Sequence, residues 1–355
     1  MISDNHGLVF FGYNNMFIHK RGVENVILSQ AQASPFAINY YLHWDKVSRV
    51  YRYENLICIG IKKNLFWLIP FNLVLFRLKK KNKKLFIHSH SPLMSILSVF
   101  ETNLLTVHDA LYYLTKSNSH PLKNLFYLIE KLLYTRVNFV HFISNYAKNE
   151  SLFQKNSNKF IIIPNTIHFE RIVKKACINE NSFFDVLKYK ILVIRSIEER
   201  ARIDLLIELA STFKNKNIEV LVAGKGPFLY YYRDEIKRKE ILNIQLLGYV
   251  SDQNLLQLYE ECNLVLMPAE YGEGFGLPII EGYFFNKPVI ASNKCAIPDI
   301  IYSKDYLFDN TANSISERLD FVLNNPLQDF KAYYDKTFSN KIVLSNFLQL
   351  YNMLR

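Results

Sequence analysis

Cysteine is scarce in this chain, and what there is makes no pattern. Cys58, Cys177, Cys262 and Cys295 are the only four in 355 residues, and no two form a CxxC pair. That scatter excludes a disulfide frame and offers no zinc-ligand spacing; it fits free thiols in a reducing compartment, serving as small apolar core residues. Glycine and proline are also few, eleven of each, which argues against a turn-dense all-β fold and excludes a collagen-like filament. A hydrophobic share of 50% with 21% charged residues excludes wholesale disorder. The opening Met1-Ile2-Ser3-Asp4-Asn5-His6 has neither the basic nor the apolar stretch of a signal peptide, so the expectation is a cytoplasmic chain.

Basic charge is present in excess and is unevenly placed. Residues 1–160 hold 20 Lys and Arg against 8 Asp and Glu, whereas the rest of the chain holds 23 against 24. A basic first half calls for a polyanionic partner: nucleic acid, an anionic membrane face or phosphate-bearing ligands. The length suits two domains better than one core. Short β-branched runs alternate with amphipathic ones, giving strands at Leu8–Phe11, Phe36–Leu42, Leu56–Ile59, Leu85–His88, Leu104–Val107, Phe139–Ile143 and Phe160–Ile163. After a polar, irregular stretch the rhythm restarts at Ile191–Ile194, Ile218–Ala223, Ile244–Leu247, Leu264–Met267 and Pro288–Ala291, with helices at Asp204–Phe213, Asp252–Cys262 and Leu277–Phe284. This is the βαβ pattern of parallel sheets covered on both faces. The expected division is a first α/β domain over 1–166, a linker over 167–188, a second over 189–330, and a helical tail over 331–355 packing back on the first.

The uncharged run Asn64–Phe76 lies between Lys62-Lys63 and a tract reaching Lys84 that includes Lys79-Lys80-Lys81. It is too short to span a bilayer, which takes ~20 helical residues. Its apolar part reads as a core helix, and its lysines as contacts to an anionic membrane surface.

The most specific signal is Pro268-Ala269-Glu270-Tyr271-Gly272-Glu273-Gly274-Phe275-Gly276-Leu277-Pro278-Ile279-Ile280-Glu281, between an apolar strand and a helix. Gly274 and Gly276 bring backbone N–H groups within reach of a ligand, and the helix points its positive end at the same place, which suits a diphosphate. Glu273 and Glu281 can reach opposite ends of one bound molecule, and a carboxylate accepts from paired sugar hydroxyls.

Glu273–Glu281 with GFGLP between them resembles the EX7E signature of retaining glycosyltransferases of family 4 ("group 1"), whose GT-B fold has two doubly wound Rossmann-like α/β domains facing a central cleft. Ile218–Pro227, Leu246–Asp252, Leu264–Pro268 and Asn286–Ser292 follow the family's order and spacing. In the first half, Arg21-Gly22-Val23-Glu24 resembles its GGVE loop, and His88-Ser89-His90-Ser91-Pro92, Thr106-Val107-His108-Asp109, Ile143-Ser144 and Ile163-Pro164-Asn165 match further landmarks.

The resemblance implies roles for the matching residues. Glu281 would bind the ribose, and Glu273 the donor sugar, aided by backbone groups of Gly274, Phe275 and Gly276, with Leu277 at the helix start. Arg195 would meet the diphosphate, and the base would lie on the Gly248-Tyr249-Val250 backbone. Gly22 would let its loop approach phosphates or acceptor, and His108 would stand near the sugar. Departures from the family are Ile194 in place of the first glycine of its Gly-Arg pair, Ala201 at its lysine, and Arg202 at the next glycine; Arg200 or Arg202 must then supply the second positive charge, and Arg200 is the choice. Two arginines and a helix dipole can stabilise a diphosphate leaving group with no metal and no other cofactor. Retention then implies same-face attack, the departing phosphate oxygen taking the acceptor's proton. Glu273 positions the sugar, and neither glutamate is a general base.

These features lead to a metal-independent hexosyltransferase. It would use a UDP- or GDP-linked sugar on a lipid-linked glycan, at the inner face of the cytoplasmic membrane, in bacterial surface polysaccharide or lipopolysaccharide biosynthesis. A nucleotide-sugar epimerase of the same fold is the alternative. A nucleic-acid-binding protein is the more distant one, since the charge is a lysine run beside apolar residues and no nucleic-acid motif is present.

Overall fold

A computed structural model of the chain describes residues 6–17, 22–108, 123–153, 159–167 and 187–354. They divide into two compact units, Met1–Thr166 with Asn340–Arg355, and Ile167–Ser339. Residues 168–186 of the expected linker, Cys177 among them, lie outside the described residues.

The first unit is built on β1 (His6–Phe11), β2 (Ile38–Asp45), β3 (Arg49–Tyr53), β4 (Leu56–Lys62), β5 (Lys84–Ser89), β6 (Thr102–Val107), β7 (Val137–Phe142) and β8 (Phe160–Ile162). Their order in the sheet is β3-β4-β2-β1-β5-β6-β7-β8. Every pair is parallel except β3 with β4. Strand β1 shows why the sheet is covered twice. Leu8 and Phe10 enter one apolar cluster with α1 (Val23–Gln32), and Val9 and Phe11 enter the other with α2 (Leu68–Lys81). A further helix, α3 (Lys123–Thr135), precedes β7.

The apolar runs do not foretell β3. Arg49, Val50 and Arg52 are exposed, because β3 is an edge strand in a hairpin and has no reason to be continuously apolar.

The second unit contains β9 (Tyr189–Ile194), β10 (Ile218–Ala223), β11 (Ile244–Gly248), β12 (Leu264–Met267), β13 (Val289–Ser292) and β14 (Leu307–Phe308). All pairs are parallel, in the order β11-β10-β9-β12-β13-β14. The chain winds outward from β9 to one edge, returns to β12, and winds to the other. This is a doubly wound sheet whose direction reverses between β9 and β12, where loops leave toward opposite faces and open a crevice. Helix α4 (Leu277–Phe284) follows β12. The expected helix over 204–213 is two, Ile203–Glu208 and Ala210–Asn215, broken at Leu209.

The tail also differs from the expected single helix after residue 331. Helix α5 (Phe330–Thr337) stays with the second unit, with Phe330 stacked on Tyr283 at 5.4 Å. Only α6 (Asn340–Leu354) joins the first unit, burying Val343, Phe347, Leu350 and Tyr351 in the α1-side cluster. The physical reason is the break at residues 338–339, where Phe338 and Ser339 both cap α5 by donating to the Tyr334 carbonyl.

Candidate functional site

Arg195 is the first residue after β9, so the reversal in the second sheet delivers it to the crevice mouth. Its backbone is held by an N–H to the Ala223 carbonyl at 3.1 Å. The glycines of the Gly224-Lys225-Gly226 turn make this close approach possible: a Cβ on Gly224 would stand 1.7 Å from the Arg195 carbonyl oxygen, and one on Gly226 2.1 Å from that of Ile197. Arg195 is buried, its side chain 6% exposed, and pairs through Nη1 with the Glu273 carboxylate. Its Nε, also buried, has no hydrogen-bond partner among the described residues. The two side chains given separate roles from sequence therefore form one ion pair across the two loops of the crevice.

Glu273 belongs to the loop after β12. Gly276 turns that loop into α4 at φ 94°, where a glycine is favoured, and no side chain caps the helix. Phe275 is buried with its ring against Phe338 at 6.2 Å, which fixes the loop between Gly274 and Gly276. Glu281 lies in α4 and accepts a hydrogen bond from Tyr259, a buried ring stacked on Phe285.

Arg200 faces the same loop. Its Nη1 donates to the Gly272 carbonyl at 2.9 Å and its Nε to Glu198 at 2.8 Å. Hydrogen bonds from Arg200 and Ser196 hold the Glu198 carboxyl below its ordinary range. Arg202 adopts φ 51°, the left-handed conformation of a glycine, and it stands where the family pattern has one. Its Nη1 donates to Glu270 at 2.7 Å. Glu270 also accepts from Asn310 at 2.8 Å; Asn310 in turn donates to the Ala269 carbonyl and accepts from Ser292, whose Oγ accepts from the Ala269 N–H. Burial pushes the Glu270 carboxyl up, but the bonds from Arg202 and Asn310 outweigh it and hold it low. This lattice ties the ends of β12, β13 and β14 together. Sequence reading missed it: Ser292 ends a matched block, but nothing local marks Asn310.

The Gly248 carbonyl accepts from the Gly224 N–H, at 2.8 Å, so the turns after β10 and β11 are joined. Tyr249 is exposed with Lys225 Nζ 4.8 Å from its ring centre, and Val250 is buried.

The other two predicted residues belong to the first unit. Gly22 caps α1 at φ 70° with open space where a Cβ would stand. His108 follows β6 and lines a cavity of about 150 Å³ with Tyr13, His90, Thr106, Glu130 and Tyr134. His108 Nε2 lies 2.9 Å from His90 Nδ1, and His90 Nε2 lies 2.8 Å from Gln30 Oε1. Beneath them is a chain whose direction the Ile163 carbonyl dictates, because a carbonyl only accepts. His141 Nε2–H donates to it at 2.8 Å, so His141 Nδ1 accepts from Thr106, Thr106 accepts from His88 Nε2–H, and His88 Nδ1 accepts from the Tyr351 hydroxyl of α6. Burial keeps both histidines of that chain neutral, and each is therefore a single tautomer. Burial drives His108 down to about 3 and His141 to about 4, and holds His88 and His90 well below the ordinary imidazole range.

The second unit thus brings Arg195, Arg200 and Glu273 to one loop, with Glu281 on the helix that follows; Gly22 and His108 belong to the first. Among the described residues no three His, Cys, Asp or Glu side chains form a metal-holding group.

Residues 175–337 match the family described as Glycosyl transferases group 1. An uncharacterized glycosyltransferase of Methanocaldococcus jannaschii is 24% identical over 203 residues, 56% of this chain and 54% of that protein. The O-antigen chain mannosyltransferase B of Escherichia coli is 36% identical over 77 residues, 21% of this chain and 20% of that protein. The chain thus spans about half the length of the first relative and a fifth of the second. The crystal structure of Anabaena HepE in complex with UDP and glucose superposes with a TM-score of 0.74 at 11% identity, over 97% of this chain and 99% of that one. The likeness shows a GT-B fold of two Rossmann-like α/β units.

Proposed function

We propose that this chain, whose residues 175–337 match the group 1 glycosyltransferases, moves a hexosyl group from a UDP- or GDP-linked sugar to a glycan acceptor with retention of configuration. The observation that carries the reading is Arg195: a buried guanidinium at the sheet reversal, one N–H without a partner, set against an acidic loop. A buried donor left unsatisfied is expensive, and a diphosphate oxygen satisfies it while the positive charge favours the anion.

As the sugar–phosphate bond breaks, negative charge gathers on the diphosphate. Arg195, Arg200 and the uncapped start of α4 stand ready for it, so the charge is met without a metal ion. Glu273, released from Arg195 by the incoming diphosphate, takes the sugar hydroxyls. Glu281, oriented by Tyr259, takes the ribose, and the base lies along 248–250. The acceptor hydroxyl attacks from the leaving-group face and gives its proton to the departing phosphate oxygen. Neutral His108 hydrogen-bonds to the sugar or the acceptor. The match to an O-antigen chain mannosyltransferase supports a polysaccharide or lipopolysaccharide product; the basic first half favours a lipid-linked acceptor at the inner face of the cytoplasmic membrane.

The test is thermal shift against UDP-, GDP- and ADP-sugars, followed by transfer with the stabilising donor. Stabilisation by one nucleotide-sugar, transfer undiminished by chelator, and product with the donor's anomeric configuration are expected. No shift with any of them, or inversion, overturns the reading. Conversion of the donor with no sugar gained by any glycan would restore the epimerase.

A further inference from the structure

Surface helices ordinarily bury one apolar stripe and show solvent a polar face. Helix α2 does not. Phe71, Leu75 and Leu78 are buried under it, yet Ile69, Leu73 and Phe76, spaced as a second stripe, are exposed. The turn before it leaves Leu65 88% and Phe66 67% exposed.

The apolar surface continues onto neighbouring elements. Asn72 of α2 donates to the Leu97 carbonyl at 3.2 Å and accepts from the Val99 N–H at 2.9 Å, and Phe76 meets Phe100 with ring centres 5.2 Å apart. The helix Pro92–Leu97 is thereby fastened beside α2, and its Leu93 and Leu97, with Val99, are exposed. That helix packs on α3, where Leu125, Leu128 and Leu132 form an exposed stripe of their own. Three adjoining helices with outward apolar stripes are more than the scattered single exposures of an ordinary surface.

The charge beside them has one sign. Arg77, Lys79, Lys80, Lys81, Lys83 and Lys84 are exposed at the end of α2, and Lys62 and Lys63 before it. Neither α2 nor Pro92–Leu97 contains an acid, and the one acid of α3, Glu130, is 1% exposed; Glu101 is the exposed acid nearby in sequence. A second copy of this chain would set lysine against lysine. An anionic bilayer satisfies both features, apolar side chains entering the headgroup layer and lysines meeting lipid phosphates. No described helix is long and apolar enough to cross a membrane.

We propose that α2, Pro92–Leu97 and α3 form one docking surface for an anionic lipid bilayer. The proposal deepens the acceptor side of the reading above, resting on it only for the purpose of docking; the surface itself is tested without any donor or acceptor.

The experiment is flotation of the full chain with vesicles of phosphatidylcholine alone or with phosphatidylglycerol, at low and high salt. Binding to the anionic vesicles only, weakened by salt, is expected. Lys79→Glu/Lys80→Glu/Lys81→Glu lowers it roughly a hundredfold. Ile69→Ser/Leu73→Ser/Phe76→Ser and Leu125→Ser/Leu128→Ser/Leu132→Ser each lower it at least about tenfold. All these positions except Lys79–Lys81 are apolar surface and none lies in the core, so melting temperature, and its rise with nucleotide-sugar, stay unchanged and separate docking from donor binding. Failure of the native chain to float with anionic vesicles at low salt overturns the proposal. So does undiminished binding by the α3 variant, or a concentration-dependent dimer that the serine variants abolish while vesicles go unbound.

Discussion

At the ends of β5, β6 and β7 in the first unit the polar groups are neutral and buried; around the loop after β12 in the second they are charged and paired. His88, His90, His108 and His141 share hydrogen bonds in which each proton has one place. Arg195, Arg200, Arg202, Glu270 and Glu273 are linked by charge-assisted bonds between loops. A neutral network tolerates burial and offers directional contacts of the kind a hydroxyl needs. Ionic loops near a helix start offer charge, as a diphosphate needs. One architecture, used twice in a chain, carries two unlike chemistries at equivalent strand ends.

The bluntest way to break that comparison is to delete residues 340–355. Four large side chains leave the first core, at roughly 1.5–3 kcal/mol each, while the second unit loses nothing from its own core. Trp44 and Trp67, the only tryptophans, both lie in the first unit. Their fluorescence should therefore report its unfolding, with the second unit's helical signal and cooperative melt retained.

Arg195→Ala is the next largest: turnover falls by about 10²–10³, with weaker nucleotide binding, and tryptophan emission does not change.

Acid should separate the units without mutation. A histidine lowered in the fold to about 4 (His141) or about 3 (His108) stays neutral where the unfolded chain binds a proton. Stability is thus full above ~6.5 and falls as pH drops from there toward those values, by roughly 2 kcal/mol or more per histidine over two pH units. The carboxyls of Glu198 and Glu270 are lowered, so their contribution is full above about 4.5 and is lost only below it. Urea melts followed by tryptophan emission should weaken from pH 6.5 to 5, while those followed by exchange in the second unit hold. Simultaneous weakening would refute the distinction.

His108→Ala should lower turnover about tenfold to a hundredfold, without the loss of nucleotide affinity seen for Arg195→Ala. The smallest effect is expected for Arg202→Gly, where relief of the left-handed backbone, about 1 kcal/mol, offsets two part-exposed ion pairs, with Asp204 and Glu270; melting temperature and turnover both stay near the native values.

The strands with continuous apolar runs were readable because burial on both faces demands such runs; β3, an edge strand with Arg49, Val50 and Arg52 exposed, was not. The loop Gly272–Gly276 and its two glutamates were readable because close backbone approach needs particular residues at particular spacing. Its pairing with Arg195 was not, since β9 and β12 are neighbours only through strand order, about 70 residues apart in the chain. The Ser292–Asn310–Glu270 lattice and the links from His88 to Tyr351 were hidden for the same reason. Arg202 is the opposite case: a position marked by family spacing as a glycine, and bent accordingly in the fold.

Helix α6 has a bearing on biosynthesis. The first unit lacks part of its interior until residues 340–354 are made, whereas the second unit is one uninterrupted stretch. On a ribosome the earlier-translated of the two units is therefore the later one to be completed, and a chain arrested before residue 340 would carry an open first core and a finished second unit.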